Sequence, residues 1–498
     1  LLPLIVAFFL TWLSPVQQSV DDQNAAENGL GNRIALSLDS SINPDQKQQI
    51  LDSASQIGID LIHFTRPEQL NSLNVDDFFL IYQIPLNYST VYEIQSESSE
   101  IIRQINESIR VVTDQYPGKV AATGLLRFPN EAHPQFTSIA SQIASAVRQQ
   151  TDSPLFYQSA LQRGSAAPEG FDFFIQTYSS LDDSPIHSAV YFEPDARKPQ
   201  AIQMLEKLFS ESIQMDESVI IIPADWFVEN IVENQDFTTI FAEYLDGNLI
   251  PFPIPYDPEV PPAMNWNVIF LFLILGSVLL HMRYQPVYTQ ALPRYFFNHS
   301  FFLIDVMEHR IRNVFPGIVI LVQHAIITGI ILYLTADSLF NSHSLNALTH
   351  HFPILFWSDN HFLSLFIVGF IMVLFMQALS VLWLHLPNKK LQFFSQTLNL
   401  YAWPLHINFL VATILIVLFG RDPNESMILT LLAIYLFVWF MSFNIAAFDG
   451  SKFMDRNSLV YILLTIGLHT LLFTFLIWIT FYSPSISEPL QMALSFSH

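Results

Sequence analysis

Six long apolar runs occupy the second half of this chain, and they constrain it more than any other feature. They cover about Trp266–Leu280, Val314–Ala336, Phe362–Leu386, Leu400–Phe419, Met427–Ala447 and Leu459–Tyr482. A helix needs ~20 apolar residues to cross the hydrocarbon core of a bilayer. The last five runs meet that length, and the first does so if it begins near Ala263. In lipid every backbone N–H and C=O must be satisfied within the segment, so such runs fold as helices. The expectation is an all-α, six-span domain over residues 265–483, followed by a tail over 484–498.

Charge separates this half from the other. Residues 1–264 carry 12 Lys/Arg and 35 Asp/Glu, so the whole excess of −23 lies there. The remainder carries 9 of each. An acidic half joined to a neutral, Phe/Leu/Ile-rich half reads as a water-facing domain on a membrane domain. With the acidic half placed outside, Arg283, Arg294, Arg310, Arg312, Lys389, Lys390, Lys452 and Arg456 fall in inside loops, and Arg421 alone falls outside. That asymmetry is the positive-inside pattern. It predicts a multi-pass protein of a bacterial inner membrane, with the first domain and the C-terminus extracytoplasmic and the bilayer as a partner. An acidic surface repels phosphates, which argues against nucleic acid. The chain has no cysteine, which excludes disulfides, thiolate nucleophiles and Cys-ligated metals.

Leu1–Leu13 is apolar and Ser14–Gln18 polar, so 1–18 reads as a secretory signal or an uncleaved anchor. Residues 19–32 read as a linker. From Arg33 the pattern alternates between short apolar runs and helical segments. Strands are expected over Ile34–Leu38, Ile59–Phe64, Phe78–Ile84, Val120–Leu126, Leu155–Tyr157, Phe171–Thr177, Ser188–Phe192 and Val219–Ile222. Helices are expected over Pro44–Ile57, Thr90–Tyr116, Phe136–Gln149, Pro199–Phe209 and about Asp236–Leu245. Eight strands within residues 33–249 fit an α/β (β/α)8 barrel of TIM type. The fifth and sixth connections show no clear helix, and a doubly wound open sheet is the runner-up. Residues 250–264 hold six prolines, which favour an extended, semi-rigid spacer.

The candidate chemistry lies in Val120–Phe136, VAATGLLRFPNEAHPQF, where a buried strand breaks at Pro129 and a loop presents Asn130 and Glu131. Barrel enzymes place their chemistry at the carboxyl ends of strands. With Asn130-Glu131 after the fourth strand and Glu193 after the seventh, the domain resembles the clan of retaining (β/α)8 glycoside hydrolases. The resemblance implies Glu131 as acid/base, Glu193 as nucleophile, and Asn130, Arg66, Tyr178 and Trp226 as substrate-binding groups. Two such carboxyls ~5–5.5 Å apart would flank a glycosidic bond, one attacking while the other protonates the leaving oxygen. The sequence supports three readings. One is a membrane-tethered, glycan-acting enzyme. Another is a non-catalytic barrel serving as sensor or subunit among other envelope proteins, as in polysaccharide export. A third makes the membrane domain a transporter or lipid handler with the barrel as accessory.

His63, Arg127, His133 and Asp225 also lie near strand ends, where an ordinary ion pair or cap is the default role. No phosphate loop, dinucleotide fingerprint or HExxH occurs, so no cofactor is expected. His350 and His351, with Asp359 and His361, read as interfacial residues, and no metal is assigned. Within the spans, Gln323, His324, Gln377, His406, Asn408, Asn444 and His469 are expected to bond between helices. The stretch Tyr295–Arg312 reads as an amphipathic helix on the inner leaflet or as a lead-in to the second span.

Overall fold

The computed structural model describes residues 33–38, 44–71, 73–161, 167–179, 189–194, 200–215, 218–232, 234–253, 266–358, 360–420, 425–454 and 457–496. The N-terminal apolar segment, the linker after it, most of the proline-rich spacer, Asp359, Arg421 and Arg456 lie outside these residues. The chain divides into two compact units: residues 17–261 with 487–498, and residues 262–486 with 1–16.

In the first unit eight strands close a parallel barrel in chain order. They are β1 (Arg33–Ser37), β2 (Leu61–Phe64), β3 (Phe79–Gln83), β4 (Val120–Arg127), β5 (Leu155–Ser159), β6 (Phe173–Tyr178), β7 (Ala189–Phe192) and β8 (Val219–Pro223). β1 pairs with β8 to complete the ring. The open-sheet alternative is therefore excluded. Side chains alternate between the two faces of each strand. Ala35, Leu61, Ile81, Ala122, Phe156 and Ile175 meet inside the ring. Leu36, Ile62, Tyr82, Leu155, Tyr157 and Phe192 face outward into a larger core shared with the helices.

The helix Phe136–Arg148 shows how that outer core forms. Phe136, Ile139, Ala140, Ile143, Ala144 and Val147 are buried at helical spacing, and Phe136 meets the Tyr157 ring edge-on at 5.7 Å. The helix expected over Thr90–Tyr116 is two helices, Val91–Ser96 and Ser98–Gln115, hinged at Glu97. Thr90 and Glu93 form a capping box that sets the start. At the break Ser96 Oγ donates back to the Glu93 carbonyl at 3.1 Å, the local bonding through which serine competes with helix.

β4 carries a bulge. Its register against β5 shifts between Gly124 and Leu126, and Leu125 and Leu126 both belong to the outer core. The extra residue resets the alternation, so Gly124 and Arg127 both face inward. A Cβ on Gly124 would collide with Gln83 Oε1 and stand 2.6 Å from the Phe156 ring. Only glycine lets those two side chains fill the interior at that level. Gly124→Ala should therefore destabilise the barrel by roughly 1–3 kcal/mol, the usual cost of overpacking. Faster hydrogen exchange in β3–β5 would register the loss, and unchanged exchange would refute it.

Residues Pro484–Phe496, expected as a tail, form a helix. Its Glu488, Pro489, Met492, Ala493 and Phe496 are buried, and from Ser487 it belongs to the barrel unit. Glu488 Oε2 accepts from the Tyr92 backbone N–H at 3.0 Å, and its Oε1 lies 3.8 Å from His133 Nε2. The Phe496 and Tyr88 rings stand 6.3 Å apart.

The second unit contains six helices long and apolar enough to cross a membrane: Trp266–Tyr284, Phe315–Leu339, His361–His385, Phe394–Phe419, Ser426–Ser451 and Ser458–Tyr482. The chain is a multi-pass membrane protein. The stretch Tyr295–Arg312 is not one helix. Helices Pro286–Phe297 and His299–Met307 meet at Asn298, whose backbone (φ −145°, ψ 53°) leaves the helical region. Asp305 is held there by Arg294 at 2.7 Å and Arg310 at 3.4 Å. His350 and His351 end a helix, Ser342–His351. The polar groups of the spans bond between helices, as expected. His324 alone faces Gln377, Asn408 and Tyr435, at 2.7, 3.2 and 3.2 Å.

Candidate functional site

Above the apolar interior of the barrel, the last inward position of most strands is polar: Ser37 on β1, His63 on β2, Gln83 on β3, Arg127 on β4, Gln158 on β5, Thr177 on β6 and Tyr191 on β7. Parallel strands place all of these at the carboxyl mouth. Ser37 and His63 are register partners, as are Arg127 and Gln158 and Thr177 and Tyr191.

Hydrogen bonds knit this ring on two sides. Tyr191 Oη donates to Ser37 Oγ at 3.5 Å, and Ser37 Oγ lies 2.9 Å from His63 Nδ1. Burial, reinforced by the nearby Arg127 charge, lowers the His63 pKa to about 3, so the ring is neutral at physiological pH. On the other side Arg127 Nε donates to Gln158 Oε1 at 2.9 Å. Arg127 lies over the Phe128 ring at 5.0 Å. Phe128 and Tyr88 both have a positive φ of 54°, and their rings face each other at 5.4 Å. Left-handed backbone at bulky residues costs of order 1–3 kcal/mol and tends to cluster at functional loops.

The six residues implied by the hydrolase resemblance are dispersed around this ring. Glu131 accepts from Ser159 Oγ at 2.5 Å and from Tyr157 Oη at 3.3 Å. Tyr157 faces the outer core, and Ser159 shares its alternation. The Glu131 carboxyl is thus directed to the outer side of β5. Burial raises its pKa to about 7, against the opposing pull of the Ser159 and Tyr157 hydrogen bonds. The charge of Glu193 acts on the Tyr191 hydroxyl together with that of Asp225. Asn130 is fully buried, and neither atom of its amide has a hydrogen-bond partner. Arg66 is exposed before the turn Pro67–Leu70. Tyr178 is fully buried in the outer core. Trp226 packs edge-on against Phe192 at 5.0 Å.

The residues that do converge, apart from His63 and Arg127, are absent from the sequence-level expectation. Their common signal is a polar residue two positions beyond an inward apolar one, as in Ala35–Ser37, Ile81–Gln83, Phe156–Gln158 and Ile175–Thr177. That signal becomes readable once the register is known. No protein-family model matches this chain, and no curated protein matches it. The functional reading therefore stands on the geometry of the mouth.

Proposed function

We propose that this is a glycan-directed protein of a bacterial inner membrane, in which an extracytoplasmic barrel binds a sugar chain at its carboxyl mouth without cleaving it. In this reading it works as a sensor or subunit among other envelope proteins. The observation that carries the non-hydrolytic part is the direction of Glu131. Its carboxyl is bonded to Tyr157 and Ser159 on the outer side of β5, whereas the Glu193 charge acts on the Tyr191 hydroxyl. Both retaining and inverting chemistry need two carboxyls facing one bond. The charge asymmetry of the loops supports the orientation. The parity of six spans returns the chain to its starting side, in keeping with residues 487–498 belonging with the barrel.

The test is incubation of the full-length, detergent-solubilised protein with a panel of oligosaccharides. Binding is expected, with no release of reducing ends, and Glu131→Gln should change neither result. A second reading, hydrolysis with Glu131 as the acid, is favoured by its pKa of about 7, since a general acid must hold its proton near neutrality. Reducing ends released by the native protein and lost in Glu131→Gln would establish that reading and overturn the first.

A further inference from the structure

We propose that the barrel mouth recognises the carboxylate of an acidic sugar unit, a uronate, through Arg127 and Gln158. This rests on the glycan reading and narrows it to a ligand class. The bulge in β4 is what brings the arginine in: regular alternation through Leu125 and Leu126 would have turned Arg127 outward, and bulges commonly re-aim a side chain in this way. Once inside, the guanidinium spends one donor on Gln158. A guanidinium can only donate, so the amide must turn its oxygen to Arg127 Nε, as it does at 2.9 Å. That orientation commits Gln158 Nε2 to the role of donor. The atom is buried and has no hydrogen-bond partner, on a side chain 1% exposed.

The two terminal nitrogens of Arg127 are likewise uncommitted. Among the described residues no carboxylate forms an ion pair with them, in a unit rich in acids; the charge's contact is the face of Phe128. A planar fork of N–H groups matches a carboxylate bidentately, and Gln158 Nε2 adds a third donor beside it. Glu193 and Asp225 set the upper limit on charge. The charges of both act on the Tyr191 hydroxyl, so a phosphate dianion would meet more repulsion than a single carboxylate. The ligand class is therefore a polar chain with one negative charge per unit.

The experiment uses full-length protein in nanodiscs of neutral lipid. Binding is measured for a glucuronate trisaccharide, its carboxyl-reduced neutral counterpart, and inorganic phosphate. The uronate should bind at least tenfold more tightly than the neutral trisaccharide, and phosphate more weakly than the uronate. Arg127→Gln should abolish the preference, so that the uronate binds no more tightly than the neutral trisaccharide. Gln158→Glu is the second variant, because a carboxylate there would pair with Arg127 from within and keep the fold while occupying the guanidinium. It too should erase the preference. Equal binding of charged and neutral sugars by the native protein, or a preference that survives both variants, overturns the proposal and leaves the glycan reading standing. Phosphate binding as tight as uronate binding overturns the carboxylate assignment. Failure of every sugar to bind removes the glycan reading and this inference together.

Discussion

Glu131→Gln should stabilise the barrel at pH 8 by up to ~3 kcal/mol and leave its stability at pH 4 nearly unchanged. The Glu131 carboxyl titrates near 7 in the fold, against 4.5 ordinarily. Between those values the folded chain holds a proton that the unfolded chain has released, so stability falls as pH rises and the loss is complete above 7. His63 acts in the opposite sense. Its pKa drops from 6.5 to about 3, so below 6.5 the unfolded chain takes up a proton that the fold refuses. Stability then falls as pH falls, by up to ~5 kcal/mol. The two windows overlap from 4.5 to 6.5, where the slopes cancel. The native protein should look flat there, and each variant should expose the hidden slope of about 1.4 kcal/mol per pH unit. In His63→Gln stability should decline steadily from pH 4.5 to 7; in Glu131→Gln it should climb from pH 3 to 6.5. Hydrogen exchange of β5 in the full-length protein reads both. Superimposable profiles for the native protein and Glu131→Gln would show that this carboxyl is not held protonated.

The ring and the spans were legible because each depends on local pattern. Short apolar runs such as Val219–Ile222 stop at turn residues, and the spans need nothing beyond length and hydropathy. What was not legible depends on partners. Arg127 resembles an ordinary strand-end residue because its direction comes from a register shift against β5, which no single-strand pattern records. Glu131 sits past the last paired residue of β4, so alternation does not govern it, and its direction is decided by Ser159 and Tyr157. The C-terminal helix is hidden for a different reason. Pro489, Met492, Ala493 and Phe496 do fall at helical spacing, but a proline within a short serine-rich stretch argues against helix. Burial within the barrel unit outweighs that local preference.

Gly329→Leu should disrupt the membrane unit far more than its single added side chain suggests. Spans two and three approach closely at Gly329 and Gly369. A Cβ on Gly329 would stand 2.7 Å from the Phe366 backbone oxygen, and one on Gly369 would stand 3.1 Å from Gly329 Cα. Small residues that let backbones touch are a main source of helix association in lipid. The same seam carries the His324–Gln377 hydrogen bond at 2.7 Å. Forcing the helices apart would strand His324 and Gln377 in the bundle, at roughly 1–3 kcal/mol per unsatisfied group, on top of ~1–3 kcal/mol of overpacking. Gly276 in span one supplies the control, since a Cβ there meets nothing within 4 Å. Gly276→Leu should therefore leave thermal stability in detergent almost unchanged, while Gly329→Leu should lower it sharply and speed exchange in both spans. Similar behaviour of the two variants would mean that spans two and three are not held by this contact.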